Sequence, residues 1–82
     1  MCIRDRAYIL VRTRVGKLEK VLEKAKEIEN VENISVVSGD YDMIIKVSVD
    51  NLEDLMKLTD KLHMIDGIKQ TVTYVIEKEI SL

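Results

Sequence analysis

The chain has 82 residues, 46% apolar and 34% charged, with 13 basic against 15 acidic side chains; that is one small domain, too apolar for disorder and too charged for a membrane protein. The acidic balance and an aromatic set of three Tyr without Phe or Trp argue against nucleic acid, whose binders carry a basic excess and stacking rings. One Cys excludes an internal disulfide, and one Cys with one His leaves no four-ligand zinc site, so a domain whose own core leaves little margin is expected to lean on a second copy.

The longest apolar run, Ala7 to Val11, is far shorter than the roughly 18 to 20 residues of a spanning helix. No charged-then-apolar leader opens the chain, which makes a cytoplasmic location the default expectation. The first six residues, MCIRDR, follow no period and resemble read-through of a sequencing adapter. A non-native or disordered segment is expected over 1–6, with no role for Cys2, and one domain over 7–82.

Residues Ala7 to Thr13 (AYILVRT) are β-branched and apolar on both alternating faces, which predicts a buried strand. After Gly16 the spacing becomes helical: Leu18, Val21, Leu22, Ala25 and Ile28 form one stripe, and charged residues fill the other positions from Lys17 to Glu29. Asn30 is expected to stop that helix. A second strand is predicted over Glu32 to Ser38 and a third over Tyr41 to Val49, joined through Ser38-Gly39-Asp40 as a hairpin. Asp50, with Glu53 three residues on, reads as the N-cap of a second helix. Its predicted buried stripe is Leu52, Leu55, Met56, Thr59 and Leu62, and Asp66-Gly67 marks its end. Ile68 to Ile80 alternates as a long last strand.

The order β-α-β-β-α-β predicts an α+β, ferredoxin-like fold: a four-stranded antiparallel sheet with two helices on one face. The opposite face should be polar in a monomer, yet the inner strands are apolar on both sides. Tyr8 and Leu10 oppose Ile9 and Val11 on strand one, and Ile44 opposes Met43, Ile45, Val47 and Val49 on strand three. Whichever set faces away from the helices is expected to form a homodimer through sheet faces or edges.

Catalytic chemistry finds no support. His63 has no Cys or second His near it in sequence, Glu53-Asp54 are adjacent first-turn acids favoured by the helix dipole, and no Gly-rich phosphate loop occurs. No cofactor and no metal is expected. The one dense polar cluster is Ser38-Gly39-Asp40-Tyr41-Asp42. As a bare pattern it is a hairpin turn. It also combines carboxylates, a phenol and amide donors around a glycine, the set a zwitterionic ligand needs. Thr71 and Thr73 would add hydroxyls if the last strand begins close by.

The AYILVRT strand, Gly16, the SGDYD loop running into MIIKV, the Asn51-to-Leu55 helix start and the Asp66-Gly67 entry to Thr73 together resemble the C-terminal effector-binding (RAM) domain of the Lrp/AsnC family of amino-acid-responsive regulators. The resemblance implies a non-enzymatic module that pairs through its sheets and assembles further into rings. It implies that effectors, often amino acids, bind between dimers beside Gly39, Asp40, Tyr41 and Asp42, with Thr71 and Thr73 as further candidates. Full-length members carry a DNA-reading helix-turn-helix that is missing here. The chain is therefore expected to be the stand-alone form of the domain, or a piece whose upstream part was lost at the MCIRDR junction. The alternative function is a structural subunit that co-assembles with full-length Lrp/AsnC regulators and binds no ligand. An RNA-binding reading of the same topology has only Tyr8 and Tyr41 as stacking aromatics on strands one and three.

Overall fold

The structure, a computed structural model, describes residues 5–80 and 82. In chain order it runs β1 (Asp5–Thr13), α1 (Leu18–Ala25), β2 (Val31–Val36), β3 (Met43–Val49), α2 (Leu52–His63) and β4 (Ile68–Val75). The strands form one antiparallel sheet in the order β2-β3-β1-β4. This is the predicted ferredoxin-like α+β architecture. Among the described residues no helix is long and apolar enough to cross a membrane.

Side chains alternate across a strand, and this decides which apolar set is core. Ala7, Ile9 and Val11 of β1 and Met43, Ile45, Val47 and Val49 of β3 are buried in one cluster with Val21 and Ala25 of α1 and Leu55, Leu58 and Leu62 of α2. The register places Ala7 opposite Val47, Ile9 opposite Ile45 and Val11 opposite Met43. Each large side chain fully buried there contributes on the order of 1.5–3 kcal/mol, so the two central strands and the inner helix faces hold the fold.

Tyr8 and Leu10 therefore point to the helix-free side. Tyr8 pairs across to Tyr74, and Leu10 lies between Val72 of β4 and Ile44 of β3. Tyr8, Leu10, Ile44 and Tyr74 line a shallow depression of about 320 Å³ on that face. The open choice between the two strand-one sets resolves here: Ile9 and Val11 are core, and their alternates form the apolar outer face.

Several predicted boundaries shift for identifiable reasons. β1 takes in Asp5 and Arg6, so the end of the segment expected to lack structure is strand; residues 1–4, Cys2 among them, lie outside the described residues. α1 ends at Ala25 rather than Glu29, because the following amides of Glu27 and Ile28 bond three residues back, to Lys24 and Ala25, a tightening common where a helix unwinds. Asn30 then stops the segment with φ 75°.

The N-cap of α2 is Asn51, not Asp50: its Oδ1 accepts the Asp54 amide at 2.8 Å. The buried line of α2 is Leu55, Leu58 and Leu62, while Leu52 and Met56 are 63% and 60% exposed. The helix is rotated towards its Leu58 side relative to the predicted stripe, and the half-buried Thr59 turns its hydroxyl back onto the Leu55 and Met56 carbonyls. β4 ends at Val75, not Ile80. Its last ladder contact is the Ile76 amide donating to the Arg6 carbonyl at 2.8 Å.

Candidate functional site

The β2–β3 connection spans residues 37–42, longer than a tight turn, and it is stitched at its base. The Val37 amide donates to the Asp42 carbonyl, and the Asp42 amide donates to the Val11 carbonyl, both at 2.9 Å. One oxygen of the Asp42 side chain, Oδ2, accepts from the Thr13 amide at 2.7 Å and from the Thr13 hydroxyl at 3.0 Å. These bonds, the backbone one foremost, hold the Asp42 carboxyl below its ordinary value, with a smaller contribution from the Arg12 charge. Asp42 is thus a charged brace between the loop and β1.

Arg12 secures the other half of the loop. Its Nε donates to the Asp40 carbonyl at 3.0 Å, and its guanidinium carbon lies 5.3 Å from the centre of the Tyr41 ring, within cation–π range. Tyr41 and Asp42 are half-buried under these contacts, whereas Ser38, Gly39 and Asp40 are exposed. A Cβ built on Gly39 would meet nothing within 4 Å, and Gly39 does not have positive φ. Neither packing nor backbone within the chain requires glycine at that tip. The missing side chain leaves the loop amides approachable from outside.

Gly39, Asp40, Tyr41 and Asp42 are therefore gathered in one loop, but with unequal duties: Asp42 faces inward and Asp40 outward. Thr71 and Thr73 are not brought to it. They sit on β4 opposite Val11 and Ile9, on the helix side of the sheet, with β1 between them and the loop. Thr71 Oγ1 lies 2.9 Å from His63 Nε2 of α2. The sequence reading missed Arg12 and Thr13, which position the loop. Their signal was faint, because only the β1–β3 register reveals that the end of β1 runs beside Asp42. Among the described residues no group of three or more His, Cys, Asp or Glu is placed to hold a metal ion.

The loop is braced to β1 at its base and open at its polar tip, and it stands at the end of a sheet with an apolar outer face. Comparison with known proteins places this fold in a family. Residues 6–81 match the family model described as the Lrp/AsnC ligand binding domain. The HTH-type transcriptional regulator FL11 of Pyrococcus furiosus is 31% identical over 72 residues, 88% of this chain and 48% of that protein; the chain spans about half the length of the curated relatives it matches. Protein PHS023 of Pyrococcus horikoshii, a solved structure, is 37% identical with a TM-score of 0.81, covering 92% of both chains. Transcriptional regulator NMB0573 of Neisseria meningitidis, solved as a complex with L-Met, shares the fold at a TM-score of 0.87 and 18% identity, over 95% of this chain and 53% of that one. With the family model covering nearly the whole sequence, the chain belongs to the Lrp/AsnC family through its ligand-binding domain.

Proposed function

We propose that this domain senses an amino acid at the Gly39–Asp42 loop and couples its binding to self-assembly, with no catalytic step. The observation that carries the reading is the division of labour within the loop. Asp42 and Arg12 anchor it to β1, while the Gly39–Asp40 tip stays exposed. Asp40 is the partner for the effector's ammonium, and the tip amides are the donors for its carboxylate. The L-Met complex of the Neisseria relative supports an amino acid as the ligand class. Thr71 and Thr73 lie across β1 from this loop, on the helix side of the sheet, and take no part in the contact proposed here. An effector that touches groups of two dimers favours the assembly in which both are present, here a dimer of sheet faces extended into a ring in the cytoplasm.

Calorimetry of the full chain against the twenty amino acids tests this, with sedimentation run in parallel. Heat with one of them, abolished in Asp40→Ala while the thermal midpoint is kept, is the expected result. No heat with any amino acid, together with unchanged assembly, would overturn it.

A second reading rests on a different observation. The apolar face of Tyr8, Leu10, Ile44 and Tyr74 is separate from the loop, so the domain can serve as an assembly subunit for full-length Lrp/AsnC regulators without binding ligand. Capture of a helix-turn-helix paralogue by the chain, with no amino-acid heat, favours that reading.

A further inference from the structure

The last strand ends at Val75, but the chain that follows does not leave the sheet. It turns onto the helix-free side. Arg6 and Lys46 stand on that side, because their neighbours Ala7, Ile45 and Val47 are buried on the other. Glu79 reaches both of them, with Oε1 3.0 Å from Arg6 Nη1 and Oε2 3.0 Å from Lys46 Nζ. One carboxylate thus ties β1 to β3 across the face. Arg6 also lies 3.8 Å from Glu32 of β2, and Lys46 Nζ lies 5.7 Å from the centre of the Tyr8 ring. Ser48, paired opposite Arg6, is buried on a side that no helix covers, and its hydroxyl has no hydrogen-bond partner.

We propose that residues 76–80 are a strap, latched by Glu79, that covers one end of the helix-free face and restrains its pairing with a second copy. The proposal rests on the sheet-face association inferred above. Tyr8 is the shared element: its ring lines the apolar depression and lies under the Lys46 ammonium that Glu79 holds. Two packed sheets sit about 10 Å apart, so a strap lying on the face must shift before a partner sheet can seat fully there. The latch is a partly exposed ion-pair network, and such pairs are individually weak and screened by salt. It therefore tunes pairing and does not forbid it.

The test uses the full chain as wild type, Glu79→Gln and Ile44→Glu, with amide hydrogen exchange read at Ile76 and the dimer dissociation constant read by sedimentation. Glu79→Gln is expected to speed exchange at Ile76, whose amide is bonded to Arg6, while core amides such as Ile45 stay protected. It is also expected to tighten the dimer roughly two- to five-fold, the range that the loss of an exposed ion pair supports. Unchanged exchange at Ile76 would overturn the latch, as would faster exchange with pairing unchanged or weaker. Ile44→Glu separates the two ideas. If it abolishes pairing, the sheet-face association stands whatever Glu79→Gln does; if pairing survives it, that association fails and the restraint fails with it.

Discussion

A single oxygen of Asp42 receives two bonds from Thr13, one from its amide at 2.7 Å and one from its hydroxyl at 3.0 Å. The contact joins residues 29 positions apart and sets the distance of the polar loop from β1. Asp42→Ala is expected to lower the thermal midpoint and to weaken effector binding together, because it frees the loop. Asp40→Ala should remove binding at an unchanged midpoint. Scanning calorimetry beside titration calorimetry separates the brace from the contact.

The glycines offer a second contrast. Gly67 has φ 108°, and a Cβ there would come within 2.7 Å of Lys17 Cβ and 3.1 Å of Val21 Cγ2. Its carbonyl also accepts the Arg14 amide at 2.7 Å, so the α2–β4 turn is pressed against the start of α1. Gly67→Ala is expected to destabilise by about 2–4 kcal/mol through strain and overpacking. Gly39→Ala should leave stability within about 0.5 kcal/mol, since its Cβ meets open space, while reducing access to the loop amides. Urea unfolding of the two variants checks the difference.

Ile44 and Ile45 are neighbours on opposite faces. Ile45 is fully buried among the helices, whereas Ile44 lines the outer depression. Ile45→Ala is expected to cost about 2–5 kcal/mol of folding stability. Ile44→Ser should cost about 1 kcal/mol or less in the monomer and instead weaken self-association, measured by sedimentation across a concentration series.

Much of this was legible beforehand. The β-α-β-β-α-β order, the core on the central strands and the polar loop all follow from alternation, helical spacing and turn chemistry. What escaped the sequence depends on register and rotation. Helical spacing alone points to Leu52 and Met56 and omits the buried Leu58, because several stripes of α2 are apolar enough to face inward and only packing against β3 and β4 selects one. Asp50 and Asn51 are both good caps by type, and geometry chose Asn51; Asn51→Ala is expected to cost about 1 kcal/mol. The alternation of 68–80 was compatible with strand to its end. The described β1–β4 ladder, however, closes with Ala7 opposite Val75 and the Ile76 amide on the Arg6 carbonyl, and beyond Ile76 the ion pairs of Glu79 with Arg6 and Lys46 hold the chain.

Acid and base should each weaken the charged contacts, through different groups. Asp42, Asp66 and Glu79 are held below their ordinary values of 3.8, 3.8 and 4.5: Asp42 by hydrogen bonds from Thr13, Asp66 by a bond from Lys20, and Glu79 by bonds from Lys46 and Arg6. Lowered carboxyls stabilise the fold above their unfolded values, and that stability is lost as pH falls through the folded ones. Lys46 is raised from 10.5, chiefly by its bond to Glu79. Its contribution is complete below 10.5 and disappears as pH rises through the higher folded value. Denaturant midpoints should therefore be flat between about 4.5 and 10.5 as far as these four groups are concerned, and fall on both sides. Molar salt should shrink the parts of both slopes that come from Asp66, Glu79 and Lys46, because their ion pairs involve exposed carboxylates.

Strand β1 has consequences for how the sequence can vary. From Ala7 to Thr13 its odd positions 7, 9 and 11 fill the core, its even positions 8 and 10 build the outer face, and Arg12 and Thr13 hold the loop. Because a strand repeats every two residues, sliding β1 by one position would exchange these sets wholesale. Arg12 would then enter the layer beneath the helices, Ile9 and Val11 would go to solvent, and Asp42 would lose its donor. A mispaired β1 thus fails at the core, at the face and at the loop at once, so a chain in which any one of the three works has paired β1 correctly for the other two.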